Sequence, residues 1–228
     1  RWERMARFAV ETLVAQMRGQ LARFRVEFDR WYPESQVRAE GYPQRVLELL
    51  RQRQMLVEKE GAVWLRSTAL GDDKDRVLVR RDGDYTYTLV DIAYHLTKYE
   101  RGFQRVIDIW GQDHHGHVVP MQIALQALGL PDGWLEVLLT QMVHLVRGGK
   151  ALRMSKRRGE LVTMAELLDE VDVDAARYFF LMRSPATHLD FDLDLANLRS
   201  AENPVYYVQY AHARACGILR QASSEGGL

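Results

Sequence analysis

The chain has 228 residues, 47% hydrophobic and 27% charged, a balance typical of a globular protein with one large domain or two modest ones. Its 31 Lys and Arg offset its 31 Asp and Glu, which excludes a global basic field for general nucleic-acid binding and leaves local phosphate-binding clusters open. The single cysteine, Cys216, excludes an intrachain disulfide and a multi-cysteine zinc site and favours a reducing, cytoplasmic setting. No apolar run reaches membrane-spanning length and no signal peptide is visible. The sequence opens on Arg1 inside a helical pattern and closes just after another, so it reads as a piece of a longer protein.

In chain order, Met5, Phe8, Ala9, Thr12, Leu13, Gln16 and Met17 predict a helix over 1–19 that Gly19 can end. Phe24, Val26 and Phe28 alternate as in a strand. Gly41-Tyr-Pro43 is a break, and 44–54 reads as a helix with Val46, Leu47 and Leu50 on one face. Residues 56–80 read as short strands and turns, and 86–100 as helix. Val106 to Trp110 is a short apolar strand ending at Gly111, followed by a helix over Met121 to Leu128 that Gly129 and Pro131 stop. The apolar run Val137 to Val146 fits strand or helix equally. Thr163 and Glu166 form a T-x-x-E capping box opening a helix near 164–170, and another helix runs from about Ala175 to Met182. Asn203-Pro204 suits the start of a long last helix. Alternating strands and helices predict an α/β domain with a mostly parallel sheet, and the tail after about 172 reads as all-helical.

The most informative stretch is Arg153-Met-Ser-Lys-Arg-Arg158, closed by Gly159. A cationic loop running into a helix N-terminus suits a polyphosphate, because lysine, hydroxyl and helix dipole act on one anion. Charge runs are also common on solvated surfaces, and local sequence leaves both readings open. The second constellation, Gly111-Gln-Asp-His-His-Gly-His117, follows a strand, where open parallel sheets bind ligands. It can hydrogen-bond a sugar, base or phosphate, or serve as a plain turn. Asp113, His114, His115 and His117 are possible metal ligands, but neighbours in sequence cannot all converge on one ion, so no tightly bound metal is expected.

Third, Tyr87, Asp91 and His95 are four apart and share one helix face. A carboxylate between a phenol and an imidazole could cradle a guanidinium, or the three could form a polar stripe towards solvent. Fourth, Tyr206, Tyr207 and Tyr210 with His212 and Arg214 could stack on RNA bases, although such stripes more often pack against other helices.

Taken in order, these segments resemble the arginyl-tRNA synthetases, of the class I aminoacyl-tRNA synthetases. Arg153-Met-Ser-Lys156 resembles the KMSK signature. Asp91-Ile-Ala-Tyr-His-Leu-Thr-Lys98 and Trp110-Gly-Gln-Asp-His-His-Gly-His117 resemble the second half of the catalytic nucleotide-binding fold. Asp174 to Ser184, His188-Leu-Asp-Phe-Asp192 and Glu202 to Arg214 complete a match over nearly the whole chain.

The resemblance implies a partial Rossmann-like α/β catalytic domain over 1–171, with an insertion-like segment at about 44–82, and a helical connection and the start of an anticodon-binding domain over 172–228. It implies ATP-dependent activation of arginine, with magnesium accompanying the ATP, then transfer to tRNA(Arg) by a full-length cytoplasmic monomer without membrane association. It places Tyr87, Asp91 and Gln112 on arginine, with Gly111, Asp113, His114, Gly116 and Met154 on ATP. Lys156, Arg153 and Ser155 would carry the phosphate chemistry, and Lys156 would face Asp91 across one sheet edge. Arg153 replaces the first KMSK lysine, and His117 stands where a tyrosine is expected. The HIGH signature that ends the first strand of the fold is missing; Asp113-His-His-Gly-His117 follows a later strand and does not take its place. The 228 residues alone are therefore expected to be inactive. Competing readings are a class I synthetase of another specificity or a nucleotidyltransferase, an RNA-binding or scaffold module, and a metallohydrolase built on the histidines.

Overall fold

The structure, a computed structural model, describes residues 2–152 and 162–224. The chain forms two compact units: Arg30–Thr140, and Arg1–Asp29 together with Gln141–Leu228.

Helix α1 (Trp2–Arg23) runs four residues past Gly19, which its helix tolerates. The expected strand at Phe24, Val26 and Phe28 does not form. The helix instead closes in a Schellman motif: Arg25 adopts φ 58°, its N–H donates to the Ala22 carbonyl, and the Val26 N–H donates to Leu21. Phe24 is then used for packing and meets Phe180 edge-on at 5.8 Å. Its carbonyl accepts a bond from Arg177 at 2.9 Å.

The 30–140 unit begins with α2 (Glu34–Ala39), which sequence reading missed. Gly41 takes φ 75°, and α3 (Tyr42–Gln52) starts there with Pro43 in its first turn, two residues before the expected start. Strands β1 (Leu56–Lys59), β2 (Ala62–Leu65) and β3 (Arg76–Val79) make an antiparallel meander, with a short 3-10 turn at Ser67–Leu70 between the last two. Helix α4 (Tyr87–Glu100) is capped by the Thr86 hydroxyl, which accepts from the Leu89 N–H. It buries Leu89, Ile92, Ala93 and Leu96 against a core that includes Val46, Leu50, Leu65, Leu78 and Trp134.

Strand β4 (Val106–Gly111), helix α5 (His115–Ala127) and strand β5 (Leu135–Thr140) form a parallel strand–helix–strand unit, with Asp108 opposite Val137. Helix α5 begins six residues before the expected Met121, so the histidine run lies in a short 3-10 turn (Gln112–His114) and in the first helical turn. Gly129 ends the helix as expected, at φ 83°.

In the second unit, β6 (Val143–Arg147) pairs in parallel with β8 (Leu189–Asp192) and antiparallel with β7 (Lys150–Ala151). Gly148 and Gly149 both take positive φ in the hairpin turn, a conformation glycine reaches without a Cβ clash. The ambiguous run 137–146 thus resolves into the end of β5 and the start of β6. The single mostly parallel sheet predicted from sequence is absent among the described residues. Parallel pairing is confined to β4–β5 and β6–β8.

Helix α6 (Met164–Glu170) has its capping box formed, with Thr163 N–H donating to Glu166 at 2.7 Å. Helices α7 (Val173–Leu181), α8 (Leu193–Asn197) and α9 (Pro204–Ser224) complete the mainly helical tail. The tail also supplies β8, whose Phe191 is fully buried with Phe179 and Leu193, so it is not helical throughout. The α9 tyrosines expected to pack are open to solvent: Tyr206, Tyr207 and Tyr210 are 42%, 60% and 55% exposed.

Asn203 holds the entry to α9. It is buried; its Oδ1 accepts from the Val205 N–H at 3.1 Å, and its amide donates to the Leu198 and Ala196 carbonyls at 2.8 and 3.2 Å. Asn203→Ala removes the side-chain partner of one buried carbonyl (Ala196), one partly buried carbonyl (Leu198) and the buried Val205 N–H. It should cost about 2–3 kcal/mol, against about 1 kcal/mol for the exposed cap change Thr163→Ala. Urea denaturation of the two variants checks the order, and equal losses would contradict it.

Candidate functional site

An open cleft of about 730 Å³ lies over α4 and the end of β4 in the 30–140 unit. Helix α4 contributes Tyr87, Asp91, Tyr94 and His95; β4 contributes Asp108 and Trp110; His114 and His117 close the far side. The four-residue spacing sets three side chains at three depths. Tyr87 is 76% exposed at the mouth, Asp91 is open to solvent in the wall, and His95 is 3% exposed at the floor. The stripe therefore lines a concavity and is not simply a solvated face.

The floor is a charge cluster. His95 Nε2 donates to Asp108 Oδ2 at 2.8 Å, and Lys98 Nζ donates to Asp108 Oδ1 at 2.7 Å. The other ring nitrogen, Nδ1, lies 2.7 Å from the Asp91 carbonyl oxygen. Burial by itself would push the Asp108 carboxyl up. The His95 and Lys98 contacts outweigh it and hold the group at about 2. Among the described residues, Asp91 has no such partner. Its concave surroundings thin the water around it and push its carboxyl above the usual range, with His95 pulling the other way. At the cleft edge, Arg76 is bound by Asp72 through two contacts of 2.6 and 2.8 Å, so its charge is already answered. The Arg76 contacts hold the Asp72 carboxyl well below its ordinary value.

Of the residues expected from sequence, Tyr87, Asp91, Gly111 and His114 line this cleft. Gln112, Asp113 and Gly116 occupy the exposed turn and the first turn of α5 beside it, and are not among its lining residues. A Cβ on Gly111 would meet Asp113 Oδ1 at 2.5 Å, so the missing side chain lets that carboxylate fold back. Gly116 has open space around it. Arg153, Met154, Ser155 and Lys156 lie outside the described residues.

Sequence reading missed Asp108 and Trp110 as lining residues. A signal was present: one carboxylate inside the apolar run Val106-Ile-Asp-Ile-Trp110 needs a partner if buried, and His95 and Lys98 on one helix face could supply it.

A family model described as tRNA synthetases class I (R), catalytic domain, matches residues 1–181. The chain belongs to this family.

Curated relatives of this synthetase domain include the arginine–tRNA ligase of Symbiobacterium thermophilum, 59% identical over 206 residues, covering 90% of this chain and 37% of the relative. That of Bacillus pumilus is 56% identical over 210 residues, covering 92% of this chain and 38% of the relative. The chain thus spans well under half the length of these relatives. Among solved structures, a Campylobacter jejuni protein described as an arginyl tRNA synthetase superposes with a TM-score of 0.86 at 36% identity, over 96% of this chain and 47% of its own. Thermus thermophilus arginyl-tRNA synthetase, at 22% identity and TM-score 0.75 over 92% of this chain and 45% of its own, shares the fold. The chain therefore has the α/β class I synthetase fold with a helical C-terminal part.

In this synthetase domain, Asp108 makes a pH-dependent contribution with a defined sign. Its folded pKa, about 2, lies below the ordinary 3.8, so its stabilisation is fully present above 3.8 and lost as pH falls through about 2. Asp108→Asn should cost about 2 kcal/mol at pH 7 and progressively less between pH 4 and 2. Denaturation midpoints across that window test this; a pH-independent loss would assign the effect to packing.

Proposed function

We propose that this chain is part of an arginine–tRNA ligase, which joins arginine to ATP as arginyl-adenylate and then transfers it to tRNA(Arg). The observation that carries the reading is Asp91: a carboxylate without a cationic partner among the described residues, in a cleft wall below an exposed phenol. A guanidinium suits that carboxylate and phenol, since it pairs with carboxylate in a fork and stacks on an aromatic ring. An apolar amino acid would leave the charge covered and unpaired.

In this reading Asp91 and Tyr87 hold the arginine side chain, with Gln112 reaching in from the adjoining turn. Gly111, Asp113, His114 and Gly116 border the ribose and adenine, with Met154 at the adenine edge. ATP enters as its magnesium complex, a substrate. The arginine carboxylate attacks the α-phosphorus, the bond to the bridging oxygen breaks, and pyrophosphate leaves with that electron pair. Lys156, with Arg153 and Ser155, supplies positive charge and a hydroxyl where negative charge develops on the leaving group. The flanks of that segment are well anchored. Strand β7 is paired to β6, the Leu152 N–H donates to Leu145 at 2.8 Å, and the capping box fixes the start of α6. No protein nucleophile is required. The boundary near 172, between catalytic and anticodon-binding parts, belongs to the same proposal, as do a cytoplasmic setting and a monomeric full-length enzyme.

In the full-length enzyme, Asp91→Asn should raise the KM for arginine roughly 10- to 100-fold, the scale of a lost charge-assisted hydrogen-bond pair, and change the KM for ATP less than about threefold. Pyrophosphate-exchange kinetics read both, and equal losses would favour a synthetase of another specificity. Because these 228 residues hold no HIGH tetrapeptide, the chain alone should show no arginine-dependent exchange. Detectable exchange would overturn that expectation.

A further inference from the structure

The register between α4 and β4 says which residue stands opposite Asp91. Asp108 meets His95 at 2.8 Å and Lys98 at 2.7 Å, which fixes the strand against the helix at that level. The first turn of α4 and the C-terminal end of β4 line the same cleft, so the two elements run in opposite directions. From His95 back to Asp91 is four helical residues, a rise of about 6 Å. From Asp108 on to Trp110 is two strand residues, about 6.6 Å, and strand alternation returns Trp110 to the face that carries Asp108. Trp110 therefore stands across from Asp91 much as Asp108 stands across from His95, and both line the cleft.

The indole is held as a wall. It is half-buried, it packs against the core of its unit, and the His114 ring meets it at 6.3 Å, tilted by 60°. The cations of the cleft are engaged elsewhere. Arg76 is bound by Asp72, and Lys98 lies over the Tyr94 ring at 4.6 Å while it holds Asp108. Among the described residues, no cation lies over Trp110. Tyr87 at the mouth is 76% exposed, so Trp110 is the better enclosed of the two rings. Resting on the ligase reading, we propose that Trp110 is the second wall of the guanidinium pocket: Asp91 pairs with the cation in its plane, and the indole covers its face. This pairing favours a flat, delocalised cation. A guanidinium is weakly hydrated and stacks on an aromatic face while its edge stays free for a carboxylate; a lysine ammonium is compact, strongly hydrated and gains less from the same wall. The pocket thus selects shape as well as charge.

Two variants and one direct readout test the assignment in the full-length protein. Trp110→Leu keeps an apolar side chain against the core and removes the ring. It should raise the arginine KM about tenfold, the scale of an enclosed cation–π contact, and change the ATP KM less than about twofold. Trp110→Phe keeps a smaller ring and should raise the arginine KM only about threefold. An arginine KM that does not move in Trp110→Leu overturns the proposal. So does a loss shared equally by ATP, or Trp110→Phe as impaired as Trp110→Leu. In protein labelled with nitrogen-15 tryptophan, the Trp110 indole resonance, identified by its loss in Trp110→Phe, should shift when arginine is added. If it shifts while the unmodified protein shows no arginine-dependent pyrophosphate exchange, the ligase reading falls and the guanidinium wall stands. If exchange is normal and the resonance stays in place at saturating arginine, the wall falls and the ligase reading stands.

Discussion

The cleft depends on one shared carboxylate. Asp108 lies within an apolar strand, where an ionised group costs several kcal/mol unless it is paired and hydrogen-bonded. His95 and Lys98, three residues apart on α4, meet its two oxygens separately. This arrangement does more for register than for gross stability. A buried charge with two designated partners penalises any slip of α4 along β4, since a shifted helix would strand it. The wall of the cleft comes from α4 and its rim from the end of β4, so the pairing fixes how the two halves of the site face each other. Asp91 is the counterpart that has no ion-pair partner among the described residues.

Elsewhere the fold is organised by how helix ends dispose of unpaired backbone groups. The Thr163–Glu166 box opens α6, the Asn203 side chain ties α9 to the carbonyls that precede it, and α1, α3 and α5 each close through paired 6→1 and 5→2 bonds. These closures set where loops begin. Strand β7 ends in a paired hairpin and α6 begins at a satisfied N-terminus, so both described flanks of residues 153–161 are fixed by backbone and capping bonds.

The patterns legible in the sequence are those governed by local rules. The capping box, the Asn203-Pro204 start, the Gly129 stop and helix α4 all follow from a few neighbouring residues. Tertiary competition accounts for the differences. Phe24, Val26 and Phe28 alternate like a strand, but no strand among the described residues takes up their backbone groups, and Phe24 packs on Phe180 instead. Strand β8 hides within an apparently helical tail because four residues, Leu189–Asp192, carry too little periodicity to declare a strand; β6 pairing and the burial of Phe191 decide it. Within the site, Tyr87 and Asp91 can be named from spacing. Asp108 leaves a fainter trace, a lone carboxylate in an apolar run, because the partners that explain it lie ten and thirteen residues away in sequence.

Gln54, which closes α3, holds φ 58° without being glycine. A left-handed residue with a Cβ carries a standing steric cost of about 1–2 kcal/mol, accepted here so that the Met55 N–H can reach the Leu50 carbonyl at 2.9 Å. Its side chain is exposed and is not among the residues lining the cleft. The α3 terminus is thus a reserve of thermal robustness: glycine there would relax the turn and leave the chemistry of α4 and β4 untouched, a useful starting point for anyone hardening this scaffold.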